Sequence, residues 1–177
     1  AVPWIDSVST VRQPDFDSSC LIMSLPYWFR TTPTSIPSDV PYLAPLKGQA
    51  SGPLDSGLRV GLAWAGTPKN TRDEWRSCPQ AAYAKLLEIP GISFQSLQFG
   101  WKSGGAGNSW SAVAPLGDDV LDYADTADVI AGLDLVISVD TSVAHLAGAL
   151  GKPVWTLLGR HSDWRWLLDR SDTPWYP

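Results

Sequence analysis

The stretch that decides the fold is LDLVISVDTSVAHLAGALGKPVW, from Leu133 to Trp155. An apolar run, DLVISVD, is followed at once by TSVAHLAGAL, which has helical composition, and then by a second apolar run, PVWTLLG. The first run lacks the polar alternation of a half-exposed strand, so we expect both faces of its sheet to be covered. The stretch therefore predicts a strand, a helix and a strand of one parallel sheet.

The same alternation begins at Leu58. LRVGLAWAG and GISFQSLQFG are strand-type runs, and CPQAAYAKLLEI between them has helical composition, with Pro79 suited to a first turn. Further on, WKSGGAGNSWSA predicts a loop without an element of its own, and DDVLDY a short possible strand. DTADVIAGL predicts a helix capped by Asp125 or Thr126, with Asp128 closing a capping box. The sequence thus predicts an α/β fold over residues 58–177: a Rossmann-like parallel sheet of four or five strands with helices on both faces.

Residues 1–57 differ from the rest because they are rich in proline and serine. Their short apolar run, Cys20 to Leu25, could be a buried strand. Proline excludes regular helix and central strands, so the following segment is predicted to be an extended linker over a surface. We place a boundary near residue 57, and the ragged start and end suggest a fragment. The prolines recur at four-residue spacing: Pro33, Pro37, Pro41 and Pro45.

Composition limits the classes of function. The 177 residues carry a formal net charge of −5, which argues against a nucleic-acid binder that neutralises phosphates and against a polybasic membrane surface. None of the apolar runs reaches the roughly 18 residues of a membrane span. Cys20 and Cys78 are far apart and form no CxxC or Cys/His cluster, so we expect free thiols in a reducing cytoplasm and no metal site.

A candidate phosphate site follows the strand that begins at Leu133. Ligands of open parallel sheets lie beyond the carboxyl ends of the strands, and here Asp140, Thr141 and Ser142 stand at such an end. The next helix offers unpaired N–H groups and a positive dipole end, and His145 lies one turn in. The alternative is that Ser142 or Thr141 merely caps the helix and that His145 is a satisfied buried histidine. Spacing alone leaves both interpretations open.

Two other strand ends carry groups suited to the same ligand. Gly66 would let the backbone approach a ligand closely, and the loop TPKNTRDEWR supplies Lys69, Arg72 and Arg76. These cations could neutralise a diphosphate, or the loop could simply be a solvated surface. Gln98 follows the second strand. The motifs GxGxxG and GxxxxGK[ST] are absent from the sequence, so NAD-type and P-loop binding are not predicted.

At these residues the chain resembles a known family. LRVGLAWAGTPKN, SLQ, DTADVIAGLDLVISVDTSVAHLAGALGKPVWTLL and DWRWLLDRSDTPWYP resemble the C-terminal part of heptosyltransferase-like glycosyltransferases of family nine, in the variant found behind tetratricopeptide repeats in bacteria. The resemblance implies one half of a GT-B fold, with residues 1–57 as the tail of an N-terminal domain and its linker. It implies that these residues face the donor: Asp140, Thr141, Ser142 and His145 at the diphosphate and sugar, Gly66, Lys69 and Arg76 at the phosphate from the other side, and Gln98 near the nucleoside.

The implied reaction is an inverting displacement on a nucleotide-diphosphate-sugar substrate, with no cofactor and no obligatory metal. The usual catalytic base belongs to the N-terminal domain of such enzymes, so the catalytic residues here are unknown. We therefore expect weak or no turnover by this chain alone. Asp140-Thr141-Ser142 stands where heptose enzymes often read Asp-Thr-Gly, which leaves the sugar unassigned, and the acceptor, carbohydrate or protein, is also open.

Two other hypotheses remain. Ten tryptophans could pack in the core or form a sugar platform, which suggests a carbohydrate-binding or glycoside-hydrolysing fragment with Asp163, Asp169 and Asp172 as candidate acids. Alternatively, a domain separated from its partner domain exposes apolar surface, which predicts a homodimer.

Overall fold

The computed structural model describes residues 17–47, 57–67, 73–101 and 108–176. Over these residues a single five-stranded parallel sheet has the order β3-β2-β1-β4-β5, the order of a doubly wound α/β fold. The Rossmann-like sheet predicted from the sequence is confirmed. The strands are β1 (Leu58–Ala63), β2 (Ile92–Ser96), β3 (Val113–Ala114), β4 (Leu135–Val139) and β5 (Val154–Leu157).

The helices lie on both faces of this sheet. Two of them flank β4: α4 is the helix predicted within the stretch from Leu133 to Trp155, and α3 is the helix predicted over DTADVIAGL. The α-helices are α1 (Leu25–Trp28), α2 (Ala84–Leu87), α3 (Tyr123–Ala131) and α4 (Ser142–Ala149), and single 3₁₀ turns span Ile22–Ser24, Asp73–Trp75, Gln80–Tyr83, Asn108–Ala112 and Trp164–Trp166. In the described part of the chain, none of the helices is long and apolar enough to cross a membrane.

The core has two halves because β1 is buried on both faces. Val60 and Leu62 face one half together with Phe94 and the fully buried Trp110, whereas Ala63 faces the other half. Such burial explains why the strands lack polar alternation. The half that packs against α3 and α4 contains Leu97, Leu116, Val120, Ala127, Ile130, Leu133, Val136, Ala147 and Leu150.

The start of α3 corrects three predictions. Asp122, not Asp125 or Thr126, is the N-cap, and its carboxylate accepts from the amides of Ala124 (2.8 Å) and Asp125 (3.0 Å). The strand predicted over DDVLDY is therefore wrong, since this segment turns into the cap. Asp128 does not close a capping box. Its carboxylate accepts instead from the backbone amide of Lys47, at 3.0 Å.

Two further segments differ from prediction. The helix expected over CPQAAYAKLLEI is limited to a 3₁₀ turn, Gln80–Tyr83, followed by the single turn of α2. The Gly/Ser loop does contain structure at its end, because Trp110 is fully buried and its indole N–H donates to the carbonyl of Gln80 at 3.2 Å. This anchor holds a 3₁₀ turn and leads into β3 at the sheet edge. Residues 102–107 lie outside the described residues.

The structure of residues 17–47, the proline-rich arm, agrees with the sequence prediction in part. The buried strand expected from Cys20 to Leu25 is wrong, because Ile22–Ser24 and α1 are helical turns with exposed apolar side chains. The proline-rich segment is extended and lies over the helices, as predicted. The amides of Tyr42 and Leu43 both donate to the carbonyl of Ala149 at the end of α4, at 3.0 and 3.1 Å. The domain boundary near residue 57 stays a prediction.

Candidate functional site

A cavity of about 870 Å³ opens at the carboxyl ends of the strands. The chain winds from β1 through β2 to β3 in one direction and from β4 to β5 in the other, so the strand order reverses between β1 and β4. Ligands of open α/β sheets bind at this reversal point. The cavity is lined by residues 63–67 after β1, 97–99 after β2 and 141–143 after β4. The three strand ends singled out in the sequence thus meet at one site.

Five of the predicted site residues line this cavity. Gln98 is held in place because its side-chain oxygen accepts from the amide of Ala65 at 3.0 Å, which ties the ends of β1 and β2 together. The other four come from the loop after β1, the residue that follows the 3₁₀ turn Asp73–Trp75, and the start of α4. The five residues are Gly66, Arg76, Gln98, Thr141 and Ser142.

The start of α4 is not capped by a side chain. Thr141 occupies the N-cap position but makes no capping hydrogen bond, and its hydroxyl lies 3.1 Å from that of Ser138 instead. The Ser142 hydroxyl accepts from the phenol of Tyr123 at 2.9 Å. The capping alternative left open by the sequence is therefore wrong. The amide of Ala144 donates to the carbonyl of Thr141 at 3.1 Å, so the first-turn amides that can serve an anion in the cavity are those of Ser142 and Val143.

Arg76 supplies positive charge at the cavity wall. Its Nε pairs with Asp73 at 2.9 Å, and its Nη1 donates to the carbonyl of Asp140 at 3.3 Å. These contacts fix the guanidinium between the loop after β1 and the end of β4. A Cβ added at Gly66 would meet the ends of the Arg76 and Asp73 side chains, which would have to shift to make room for it. Lys69 lies outside the described residues.

His145 does not line the large cavity. Its Nδ1 lies 3.1 Å from the hydroxyl of Tyr176, and its Nε2 lies 3.7 Å from a carboxylate oxygen of Asp140. The ring also stacks on Trp166, with centroids 5.3 Å apart and planes 15° apart. The structure therefore places His145 among protein partners, as in the second interpretation left open by the sequence.

Asp140 borders a second, smaller cavity of about 280 Å³. The His145 imidazole lowers the pKa of Asp140, whereas partial burial opposes the shift. The carboxylate is therefore ionised at neutral pH and available as an acceptor. Arg76 lies in the walls of both cavities, which makes them neighbours. The remaining walls of the smaller cavity are Trp75, Leu158, Gly159, His161, Ser162 and Asp163.

Sequence reasoning missed the wall that the start of α3 contributes. Asp122, Tyr123 and Thr126 all line the large cavity. They were missed because the sequence analysis placed the N-cap of α3 at Asp125 or Thr126. With Asp122 as the N-cap, Tyr123 is the first residue of the helix. The aromatic residues Phe99 and Trp101 were also missed, because they follow β2 in a segment with no distinctive motif.

The candidate acids of a glycoside hydrolase are not paired with each other. Asp163 pairs with Arg165 at 2.7 Å and Asp172 with Arg170 at 2.6 Å, while Asp169 is exposed. Some tryptophans are buried, as expected for core packing, and others are exposed, as a sugar platform would require. Trp64, Trp110 and Trp166 are buried, and Trp28, Trp75, Trp155 and Trp164 are exposed.

The cysteines and the acidic residues form no further site in the described part of the chain. Cys20 is exposed and Cys78 partly buried, and both are free thiols. Over residues 17–47, 57–67, 73–101 and 108–176, no group of three His, Cys, Asp or Glu side chains could hold a metal ion.

Comparison with known proteins bears on the C-terminal third of the chain. Residues 120–174 match the sequence profile of Glycosyltransferase family 9 (heptosyltransferase). Over these residues the chain is heptosyltransferase-like. This segment contains Asp140, Thr141, Ser142 and His145, and its match agrees with the family resemblance of the sequence. Gly66, Arg76 and Gln98 lie outside it, and the association with tetratricopeptide repeats stays a prediction.

Individual relatives extend the likeness but cover only part of their own length. Protein FlbA of Caulobacter vibrioides is 32% identical over an alignment of 133 residues, and this alignment covers 70% of this chain and 22% of FlbA. The E. coli heptosyltransferase WaaC, solved with ADP, is 24% identical with a TM-score of 0.45, over 63% of this chain and 35% of WaaC. WaaC with ADP-2-deoxy-2-fluoro heptose gives 23% identity and the same TM-score, 0.45, over 64% and 36% of the two chains. The chain thus spans about a fifth of FlbA and about a third of WaaC.

Proposed function

We propose that this chain is the donor-binding part of an inverting glycosyltransferase and that the large cavity takes the nucleoside diphosphate of a nucleotide-sugar. The observation that carries the proposal is the convergence of Arg76, Thr141, Ser142 and the uncapped first turn of α4 on one cavity at the strand-order reversal. The family 9 match over residues 120–174 supports the same class of function.

The phosphates would lie at the start of α4. The Ser142 hydroxyl, the amides of Ser142 and Val143 and the Arg76 guanidinium would supply the hydrogen-bond donors that a diphosphate needs. When the bond from the anomeric carbon to the phosphate oxygen breaks, negative charge develops on the diphosphate. The helix dipole and Arg76 would stabilise that charge, and fixed donors do so without reorganisation. Lys69, which the resemblance places at the same phosphates, stays a prediction.

The nucleoside would lie against the other wall. Phe99 and Trp101 give this wall aromatic surface, and Leu97 and Leu116 add apolar surface at the back. Gln98, fixed by its bond to Ala65, would stand close to the nucleoside. The volume of about 870 Å³ suits a ligand of nucleotide size, since ligand cavities span about 300–1,000 Å³.

The sugar would extend into the smaller cavity. Asp140 and Asp163 are carboxylate acceptors for sugar hydroxyls, and the exposed ring of Trp75 offers an apolar face for the C–H groups of a pyranose. Arg76 lies between the two cavities and would contact the diphosphate that joins sugar and nucleoside. Two of the three carboxylates of the alternative hydrolase hypothesis, Asp163 and Asp172, are paired with arginines, and the structure does not favour that function.

The proposal also includes the remaining expectations from the sequence, which concern the acceptor, the catalytic base, the location and the oligomeric state. The acceptor and the catalytic base would come from elsewhere, so turnover by this chain alone should be weak. A cytoplasmic location and a homodimer also stay predictions. The dimer surface would be the exposed apolar side chains of residues 21–29, and sedimentation analysis showing a monomer at all concentrations would reject it.

A thermal-shift screen with ADP, UDP, GDP and their glucose conjugates tests the proposal. A ligand that binds only the folded chain raises its stability by about 2.7 kcal/mol at a hundred times Kd, so a true donor gives a concentration-dependent rise in Tm. Adenosine, uridine and guanosine serve as controls, since they lack the phosphates and should give smaller shifts. If all six phosphorylated compounds leave the Tm unchanged at millimolar concentration, the proposal is wrong.

A further inference from the structure

The imidazole of His145 is held by protein groups on both nitrogens and on one face. The Tyr176 hydroxyl lies 3.1 Å from Nδ1, and the Asp140 carboxylate lies 3.7 Å from Nε2. Trp166 covers one face of the ring in a near-parallel stack at 5.3 Å. Tyr176 comes from the C-terminal segment, 31 residues from His145 in sequence.

We infer that Tyr176 is a positioning residue, whose hydroxyl donates to Nδ1 of His145 and thereby holds the imidazole as the Nε2–H tautomer, with that N–H directed at Asp140. The role of this arrangement in sugar binding rests on the proposed function. The tautomer itself does not, because it follows from contacts within the protein.

Only one neutral tautomer satisfies both neighbours. A neutral imidazole carries one N–H and one lone pair, and an ionised carboxylate only accepts. If the proton were on Nδ1, the lone pair of Nε2 would face the Asp140 carboxylate. With the proton on Nε2, the N–H faces Asp140 and Nδ1 accepts from the Tyr176 hydroxyl. In general, the hydrogen bond made by one ring nitrogen of a histidine determines which nitrogen carries the proton.

The protonation states of the neighbours fit this arrangement. The pKa of Asp140 is lowered, chiefly by the His145 imidazole, so the carboxylate is an acceptor at neutral pH. Burial raises the pKa of Tyr176, and its contact with Tyr42 raises it further, so the phenol keeps its proton and can donate. The pKa directions therefore agree with the geometry.

Contacts with three segments of the chain hold Tyr176 in place. Its ring packs on α4 at Gly148, where an added Cβ would lie 2.5 Å from Cγ of the tyrosine. The preceding residue, Trp175, is anchored because its indole N–H donates to the carbonyl of Arg165 at 3.0 Å. Tyr42, in the proline-rich segment, also interacts with the Tyr176 hydroxyl and raises its pKa. The C-terminal segment and the arm therefore both contribute to how His145 is held.

The consequence for the site concerns Asp140. Nε2 of His145 lies 3.7 Å from Oδ1 of Asp140. A proton fixed on Nε2 therefore favours one orientation of this carboxylate at the edge of the smaller cavity. If the sugar of the donor occupies that cavity, loss of the Tyr176 hydroxyl should weaken contacts to the sugar and leave contacts to the diphosphate unchanged. Tyr176 would then influence donor binding without touching the donor.

The tautomer can be measured directly, because the chain contains two histidines. Long-range ¹H–¹⁵N NMR distinguishes protonated from unprotonated ring nitrogens, and His161→Gln assigns the remaining signals to His145. We expect Nε2–H in the wild-type chain and a mixture of tautomers in Tyr176→Phe, which keeps the ring but loses the hydroxyl. Tyr27→Phe, at an exposed phenol remote in sequence, is the matched control and should match wild type.

Two outcomes overturn the inference. One is a wild-type spectrum with the proton on Nδ1, a result that needs no variant and so does not depend on whether Tyr176→Phe folds. The other is a folded Tyr176→Phe chain with the wild-type tautomer.

Calorimetry with ADP, UDP, GDP and their glucose conjugates tests the consequence for the donor. For whichever pair binds, Tyr176→Phe should weaken the glucose conjugate at least threefold and leave the diphosphate within twofold. Equal effects on both ligands would contradict a role in sugar binding. If none of the six compounds binds the wild-type chain, the proposed function fails, and the tautomer measurement alone then decides the inference.

Discussion

The phenol of Tyr123, the first residue of α3, donates a 2.9 Å hydrogen bond to the hydroxyl of Ser142, the first residue of α4. This bond joins the starts of the two helices at the wall of the large cavity. Because Ser142 accepts from Tyr123, its own hydroxyl proton remains available to a ligand. The bond therefore orients Ser142 as a donor towards the site of the proposed diphosphate.

Tyr123→Phe should weaken nucleoside diphosphate binding. The change removes one hydrogen bond, worth about 0.5–1.5 kcal/mol, which corresponds to about a two- to tenfold rise in Kd if all of it goes into orienting Ser142. Isothermal titration calorimetry measures the effect, with Tyr27→Phe as the control. An unchanged Kd would show that the bond from Tyr123 does not orient Ser142 for binding.

Asp122→Ala should destabilise the fold by about 0.5–2 kcal/mol, because it removes the N-cap of α3. Urea unfolding measures this change in the free energy of unfolding. Asp119→Ala is a suitable control, since Asp119 is an exposed carboxylate just ahead of the helix and should change stability by less than about 0.5 kcal/mol. Equal stability of the two variants would argue against Asp122 as the cap.

Gly148→Ala should lower the Tm although alanine favours helix over glycine by about 1 kcal/mol. The added Cβ would lie 2.5 Å from Cγ of Tyr176, so the tyrosine ring must move away from α4. We also expect a mixture of His145 tautomers in this variant, as in Tyr176→Phe. A rise in Tm with an unchanged His145 spectrum would mean that the ring is not packed on Gly148.

The stability of the fold should depend on Asp140 in acid. The pKa of Asp140 is lowered from the ordinary value of 3.8, chiefly by His145, so the native state binds this proton less readily than the unfolded state. Its contribution is present above about pH 3.8 and is lost as the pH falls through the lower native pKa. Asp140→Asn should therefore flatten the decline of unfolding free energy below pH 4. The exposed Asp39→Asn serves as the control, and a decline as steep as wild type in Asp140→Asn would contradict the assignment.

The sheet and the position of the site were predictable because their signals are local. Apolar runs without alternation specify strands buried on both faces, as Val60 and Leu62 on one face and Ala63 on the other show. Parallel strands place their carboxyl ends at one edge, which brought Gly66, Gln98 and Thr141 into one cavity. These conclusions required no knowledge of contacts between distant side chains.

What the sequence could not provide depends on distant or competing partners. Asp122, Asp125 and Thr126 are all good caps by residue type, and the choice of Asp122 depends on where α3 packs. His145 was expected at the phosphates because its partner Tyr176 lies 31 residues away, beyond any local pattern. Trp110 turned an expected loop into a 3₁₀ turn and a strand because it is buried among Trp64, Tyr83 and Trp101.

The central claim, that the large cavity binds a nucleoside diphosphate through Arg76 and the start of α4, is tested most directly by calorimetric titration of wild type, Arg76→Lys and Arg76→Gln with the diphosphate that gives the largest thermal shift. Charged hydrogen bonds contribute about 1.5–3 kcal/mol, so we predict saturable binding to wild type and about a 10- to 150-fold higher Kd for Arg76→Gln, with Arg76→Lys in between. Binding of equal strength to all three folded chains, or to none of them at millimolar concentration, would contradict the account.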